Sequence, residues 1–345
     1  MSVDVKLFED LHEVERDAKG ALDRQAQPSL FARIAWFRLV AELCPPPGLL
    51  LVVRAQTLED SWGQTRVWIF LSIINGKAEI LANWYSLRAD LVYVQPDRLE
   101  TAKCLRAIAR ALRKRSIATL VVPRLEGSPA TLDEAFAAAG WLTHSAPDVV
   151  SWQIETGGDS FEIYWASRPS RLRNTAERKA KAAGLDIRLY KRFDEAAWAD
   201  YEEIYRASWK PEEGSPPFLR ALAEAEGEAG TLRLGLAYKD GRAIASQLWL
   251  IENGVATIHK LAYREDSKPL SPGTILSMEM FRSAFDDDRV VRIDYGTGDD
   301  GYKRDWMEDR HVLWRFEAYN PSTFAGLKAE ARARVSKLVR NLRSG

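Results

Sequence analysis

The chain has 345 residues, 46% of them hydrophobic and 28% charged, and its 49 lysines and arginines balance 49 aspartates and glutamates. At roughly 100 to 200 residues per domain, this length fits two medium domains or one large one, and the composition excludes a collagen-like, low-complexity or mostly disordered chain. Zero net charge excludes a whole-molecule field that would draw the protein onto DNA, so any basic surface is local.

Cys44 and Cys104 are too few and too far apart for a disulfide framework or a zinc cluster, as in proteins of reducing compartments. Residues 1–13 are acidic and lack the basic start and apolar run of a signal peptide. The longest apolar stretches, such as residues 67–74, fall well short of the ~18 residues that span a bilayer. A cytoplasmic protein is the expectation.

In chain order, Phe31, Ile34, Phe37, Leu39 and Leu43 recur near helical spacing until the run Cys44-Pro-Pro-Pro-Gly48 stops the helix. Strands are predicted at residues 49–54, 66–74 and 78–81, the last two joined by a tight Asn75-Gly76 turn. An amphipathic helix over 99–114 carries Ala102, Leu105, Ile108, Ala109 and Leu112 on one face, and a buried strand follows at 117–122. The second half repeats the order: helix 198–209, strands 232–238 and 244–251 around Asp240-Gly241, strand 256–263, helix 274–285 and strand 290–295. Matching landmarks (Ile34 with Trp198, Gly76 with Gly241, Ile117 with Val290) lie about 165 to 173 residues apart, a period suited to tandem domains rather than a solenoid. The fold class expected is therefore α/β with mixed sheets, in two tandem domains over residues 1–155 and 156–320, followed by a basic helix over 321–345.

The helix start Ser271-Pro272-Gly273-Thr274 reads as an N-cap, a proline at the first helical position and a glycine that admits a close ligand. Free N–H groups at such a start bind phosphate, and an ordinary capped helix is the alternative. Gly296-Thr-Gly298-Asp-Asp-Gly301 has the dinucleotide-binding spacing, but two aspartates would face the pyrophosphate and no βαβ unit follows, so a turn is expected. The four histidines are in no metal-ligand spacing, and no metal is expected.

His259 would alternate with Lys260 on a strand, either as a packed residue or as a general base, since histidine titrates near working pH. Asp294, at a strand end, and Tyr302, which could donate a proton, are rival catalytic candidates; a turn cap and a buried tyrosine are their plainer readings. Lys303 with Arg304 could neutralise phosphate or stand as a solvated pair. Residues 168–181 hold six basic side chains and one acid, a charged helix face or a second phosphate contact. Most of the twelve tryptophans, Trp62 among them, are expected in the core.

The order of these motifs over residues 161–306, with Ser271-Pro-Gly273 opening a helix and Tyr302-Lys303 ahead of Trp306, resembles the CelD/BcsL-type acyltransferases of the GNAT superfamily, relatives of the FemAB peptidyltransferases. A weaker echo lies at residues 29–36. The resemblance implies two GNAT folds in tandem and acyl-coenzyme A as co-substrate. It implies too that the coenzyme pyrophosphate sits at Ser271, Pro272, Gly273 and Thr274 with Lys303 nearby, and that His259 flanks the thioester. The family's usual Gln/Arg-x-x-Gly-x-Gly/Ala loop is reduced here to a single glycine.

Direct acyl transfer to an amine, whether an amino sugar, a lipid amine or an amino acid, is the activity expected. A FemAB-like transferase using aminoacyl-tRNA, or a non-catalytic assembly protein for polysaccharide or lipid synthesis, are the alternatives. In the tail, Leu327, Ala331, Val335, Leu338 and Leu342 form an apolar stripe beside Lys328, Arg332, Arg334, Lys337, Arg340 and Arg343, with Glu330 the one acid. Such a helix packs on its own domain or on a second copy in a homodimer, or else lies on the inner face of an anionic membrane.

Overall fold

The computed structural model describes residues 3–58, 64–89 and 91–344, with the side chains of the last helix described as far as Val335. Trp62 and the tail positions Lys337, Leu338, Arg340, Leu342 and Arg343 lie outside the described side chains. Two compact units make up the chain, Met1–Val149 together with Val312–Gly345, and Val150–His311. The boundaries expected at 155/156 and 320/321 are therefore corrected: the last strand and helix belong to the first unit.

In the first unit the chain runs β1 (Val3–Phe8), α1 (Leu11–Ala18), α2 (Ile34–Leu43), β2 (Leu49–Thr57), β3 (Arg66–Ile74), β4 (Lys77–Ile80), β5 (Val92–Val94), α3 (Arg98–Lys114), β6 (Thr119–Leu125), α4 (Ala130–Ala137) and β7 (Leu142–Glu155), whose last residues enter the second unit. Strands β1 to β4 pair antiparallel in order, and β4 pairs β6 in parallel across the α3 crossover. The predicted hairpin turn is present: Asn75 and Gly76 both have positive φ, 50° and 75°, which is what a two-residue turn matched to strand twist requires. Helix α3 drops Cys104, Leu105, Ile108 and Leu112 onto Val53, Ile69, Leu71 and Leu120 of the sheet, and removal of this apolar surface from water holds the unit together.

The second unit contains α5 (Phe161–Ser167), α6 (Ser170–Ala183), β8 (Asp186–Tyr190), α7 (Glu195–Arg206), α8 (Pro216–Glu228), β9 (Leu232–Lys239), β10 (Arg242–Glu252), β11 (Val255–Tyr263), α9 (Pro272–Asp286), β12 (Arg292–Thr297) and the short α10 (Lys303–Trp306). Its sheet repeats the plan of the first. Strands β8 to β11 pair antiparallel, and β11 pairs β12 in parallel across α9. The Asp240-Gly241 turn repeats the positive φ pair, at 51° and 79°. Trp249, Leu276, Phe281, Phe285 and Ile293 sit in a core where α9 covers the sheet.

Both units thus read strand, two helices, three antiparallel strands, helix, parallel strand. The chain then follows β13 (Asp309–Tyr319) back to the first unit, where this strand pairs antiparallel with β6, and ends in α11 (Phe324–Ser344). Asn320 fixes the start of α11 by donating its side-chain amide to the Ile117 carbonyl at 2.9 Å.

Candidate functional site

The sheet of the second unit opens where the chemistry was expected. Strands β11 and β12 pair only from Val255–Thr257 against Arg292–Asp294, although β11 runs on to Tyr263 and β12 to Thr297. Just past the last pair, Ile258 faces Trp249 of β10 while Lys260 faces Leu248, so His259 is an extra residue in a β-bulge. A bulge bends the strand that carries it and adds twist, which steers β11 away from its parallel neighbour. The strict alternation of His259 and Lys260 expected of a regular strand is interrupted at this point.

Helix α9 begins at the mouth of this opening. Ser271 adopts the left-handed conformation (φ 56°, ψ 45°) and Pro272 occupies the first turn, as predicted; the capping hydrogen bond from the Ser271 side chain is absent. The Gly273 and Thr274 N–H groups precede the first intrahelical bond, which Ile275 donates to the Ser271 carbonyl at 3.2 Å. N–H groups left over at the positive end of a helix, here one of 15 residues, are the kind of donors that receive an anion.

A Cβ at Gly273 would lie 3.2 Å from Cδ1 of Tyr263, and the Tyr263 ring rests on Trp209 with centroids 4.2 Å apart. Gln247 of β10 anchors this turn, donating through Nε2 to the Gly273 carbonyl at 3.3 Å and to Ser277 Oγ at 2.7 Å, while its Oε1 accepts from Trp249 Nε1 at 2.8 Å. The first unit differs at its own crossover helix. There the Asp97 carboxylate already accepts from the Leu99 and Glu100 N–H groups at 2.9 and 3.0 Å, so an anion would meet a charge of its own sign at α3.

The catalytic candidates fall around the opening in unequal settings. His259 is buried at the bulge. Asp294 is buried too and accepts from Ser151 Oγ at 3.0 Å, the Gly296 N–H at 2.8 Å and Gln153 Nε2 at 3.5 Å. Three donors on one carboxylate hold the kink at Gly296 inside β12, where the register against β7 shifts, which is the cap reading of this residue. Lys303 is likewise buried, not solvated: its Nζ donates to the Thr297 carbonyl at 2.6 Å, approaches Asp300 at 3.8 Å and lies 5.5 Å from the Tyr295 ring centroid. Burial lowers its pKa, and Asp300 and Asp294 offset this. Lys303 is therefore an internal counter-ion of the 297–303 turn, which corrects the reading of Lys303 and Arg304 as a solvated pair.

Tyr302 is 44% exposed and packs edge-on against the buried Tyr295 with centroids 5.8 Å apart. Partial burial, with the nearby Asp300 carboxylate and Tyr263, pushes its phenol up to about 12. Of the basic 168–181 segment, Arg168 turns inward to Glu308 and the Trp306 carbonyl, whereas Lys179 donates to the Pro269 carbonyl at 2.6 Å, three residues ahead of the α9 start.

A cavity of about 470 Å³ opens between α7, α8 and their connection, lined by Trp198, Tyr201, Tyr205, Lys210, Glu213 and Leu219 among others. Lys260 borders it, paired with Glu213 at 3.1 Å and lying 5.2 Å from the Tyr205 ring centroid. Burial lowers the Lys260 pKa against the pull of Glu213. Sequence reasoning missed Gln247, Trp209, Tyr205 and Glu213, which carry no motif and reach the site through pairing and packing alone.

This arrangement, a bulged strand parting from its parallel neighbour at the start of the crossover helix, is that of the GNAT fold, and the chain carries the fold twice. Residues 166–304 match the family described as acetyltransferase (GNAT) domain. Three solved structures are similar over nearly their whole length. FemX has a TM-score of 0.59 at 9% identity, covering 92% of this chain and 97% of its own. The C-terminal domain (DUF2156) of a protein named as a candidate lysylphosphatidylglycerol synthetase of Agrobacterium fabrum has a TM-score of 0.57 at 13% identity, covering 93% and 95%. A tandem GNAT protein from the clavulanic acid biosynthesis pathway has a TM-score of 0.50 at 12% identity, covering 93% and 100%. No curated protein sequence matches the chain.

Proposed function

We propose that the protein is an N-acyltransferase that moves an acyl group from acyl-coenzyme A to an amine by direct attack. The observation that carries this reading is the uncapped α9 start at Gly273 and Thr274, set at the mouth of the β11–β12 opening. A pyrophosphate bound there leads the pantetheine arm toward the opening past the last β11–β12 pair.

The amine nitrogen attacks the thioester carbonyl, the C–N bond forms, the C–S bond breaks, and one proton passes from nitrogen to His259, directly or through one water. Tyr302 donates a proton to the departing thiolate, amide and free coenzyme A leave, and the proton taken by His259 returns to Tyr302 through solvent. Asp294 and Lys303 hold the turn that presents Tyr302. No covalent enzyme intermediate enters. Cys44 and Cys104 are buried in the first unit, and burial with the Glu100 charge pushes the Cys104 thiol up to about 11. The aromatic cavity beside Lys260 is the acceptor side in this reading, with the acceptor amine reaching the thioester past the bulge.

Titration with coenzyme A and with short and long acyl thioesters tests the proposal. Ligand at about 100-fold its Kd stabilises a folded protein by about 2.7 kcal/mol, so calorimetric unfolding should shift upward with at least one thioester, and an amine acceptor should then release free thiol. If thioesters leave unfolding unchanged and only aminoacyl-tRNA shifts it, the donor is an aminoacyl ester of tRNA.

Tyr302→Phe supplies a narrower check. A phenol held near 12 stays protonated throughout the assay range, so the wild-type pH–rate profile should lack an alkaline limb from this residue below about pH 11. The variant should lose about 10²-fold in kcat with KM little changed, because proton donation is felt only in the transition state.

A further inference from the structure

The apolar stripe of α11 faces outward. Phe324, Leu327 and Val335 are 82%, 47% and 61% exposed, and Ala331 is exposed as well. At 100° per residue Phe324, Leu327, Ala331 and Val335 fall within about 80° of the helix circumference, so they form one strip along the axis. The side of α11 that packs on its own unit is a different one, carrying Gly326 and the buried Glu330. In the described turns α11 therefore packs on its own unit without its apolar stripe.

The polar neighbours of the strip are all cationic. Lys328 and Arg332 border one edge and Arg334 the other, each exposed. Glu330, the single acid of the helix, is turned inward, where it accepts from Arg334 and lies 3.4 Å from His144 Nε2. What α11 offers to solvent is an apolar strip with Lys328 and Arg332 along one edge and Arg334, paired with Glu330, at the other. The sequence continues the same alternation through Leu338 and Leu342 with Lys337, Arg340 and Arg343.

We infer that α11 docks the protein on an anionic phospholipid surface, with Phe324, Leu327 and Val335 entering the acyl boundary and Lys328 and Arg332 meeting lipid phosphates. Charge selects this occupant. Two copies of the helix pairing face to face would bring together exposed cations with no outward acid to offset them, whereas an anionic bilayer supplies the missing counter-charge. Among the described residues no helix is long and apolar enough to cross a membrane, so the contact is peripheral. The inference stands apart from the acyl-transfer reading, and its test contains no thioester.

Full-length protein is sedimented with vesicles of phosphatidylcholine alone and of equal parts phosphatidylcholine and phosphatidylglycerol. The protein should pellet with the anionic vesicles only, and less so as salt is raised, since screening shortens the reach of the attraction. Leu327→Glu with Val335→Glu, and separately Lys328→Glu with Arg332→Glu, should each weaken vesicle binding by roughly tenfold or more. All four side chains face solvent, so the fold has no stake in them, and far-UV dichroism should remain that of the wild type. Protein left in the supernatant at low salt overturns the inference, as does binding retained by both double variants. A concentration-dependent dimer that dissolves in Leu327→Glu/Val335→Glu while anionic vesicles bind unchanged assigns the strip to a second copy and overturns it equally.

Discussion

Gly273→Glu is expected to abolish coenzyme A binding while leaving the protein folded. The site is the second residue of α9, where the backbone N–H groups are free and the helix dipole is positive. A glutamate there places its own carboxylate where the pyrophosphate would sit, and its Cβ must displace Tyr263, 3.2 Å away, which is backed by Trp209.

The fold should tolerate the change. A carboxylate in a helix's first turn is favoured by about 0.3–1 kcal/mol, and glutamate is the better helix former by up to ~1 kcal/mol; both offset the movement of one aromatic ring. The measurement is the upward shift of unfolding with coenzyme A. The wild type at about 100-fold Kd should gain about 2.7 kcal/mol and the variant nothing. Gly273→Ala, which adds the Cβ without the charge, should fall between the two. Wild-type affinity in Gly273→Glu would remove the α9 start from the binding site.

His259→Ala is expected to lower kcat by about 10² or more with a much smaller change in KM. The residue is the extra position of the bulge, at the point where β11 leaves β12, so a base there is carried by the backbone distortion that makes the opening. Truncating a buried side chain also leaves a hole, and His259→Gln separates the two effects: it keeps most of the volume and a hydrogen-bonding end but no basic nitrogen. Both variants should lose turnover alike if the imidazole takes the proton. Equal turnover in wild type and His259→Gln would move the base to a water or another group. Asp294→Asn, by contrast, should act mainly on stability, since its carboxylate accepts from Ser151, Gln153 and the Gly296 N–H.

The local grammar of the fold was legible because each piece is decided by near neighbours. Asn75-Gly76 and Asp240-Gly241 specify their hairpins through backbone conformations that few residues adopt. The 3.6-residue spacing of Leu105, Ile108 and Leu112 specifies α3, and Pro272 marks the first turn of α9. The duplication followed from the order of such pieces.

Elements with weaker local signals were not legible. Strand β8 is short and largely solvent-facing, so it has no apolar run. Helix α8 announces itself only by Ser215 ahead of Pro216, with Ser215 Oγ accepting from the Phe218 N–H at 3.4 Å. Strand β13 looked like the end of the second domain because it follows that domain in sequence, yet it pairs with β6, nearly 200 residues earlier.

By itself the sequence determined the class of elements, their order and repetition, and the helix start at Gly273, since these follow from backbone sterics, periodicity and capping within a few residues. Only the tertiary structure decided that β11 and β12 part after Thr257 and Asp294, that His259 stands in a bulge, and that Lys303 is an interior counter-ion. It alone turned the stripe of α11 toward solvent. Each of these depends on which distant strand or helix supplies the facing hydrogen bonds and apolar surface, and residue spacing along the chain carries no record of that choice.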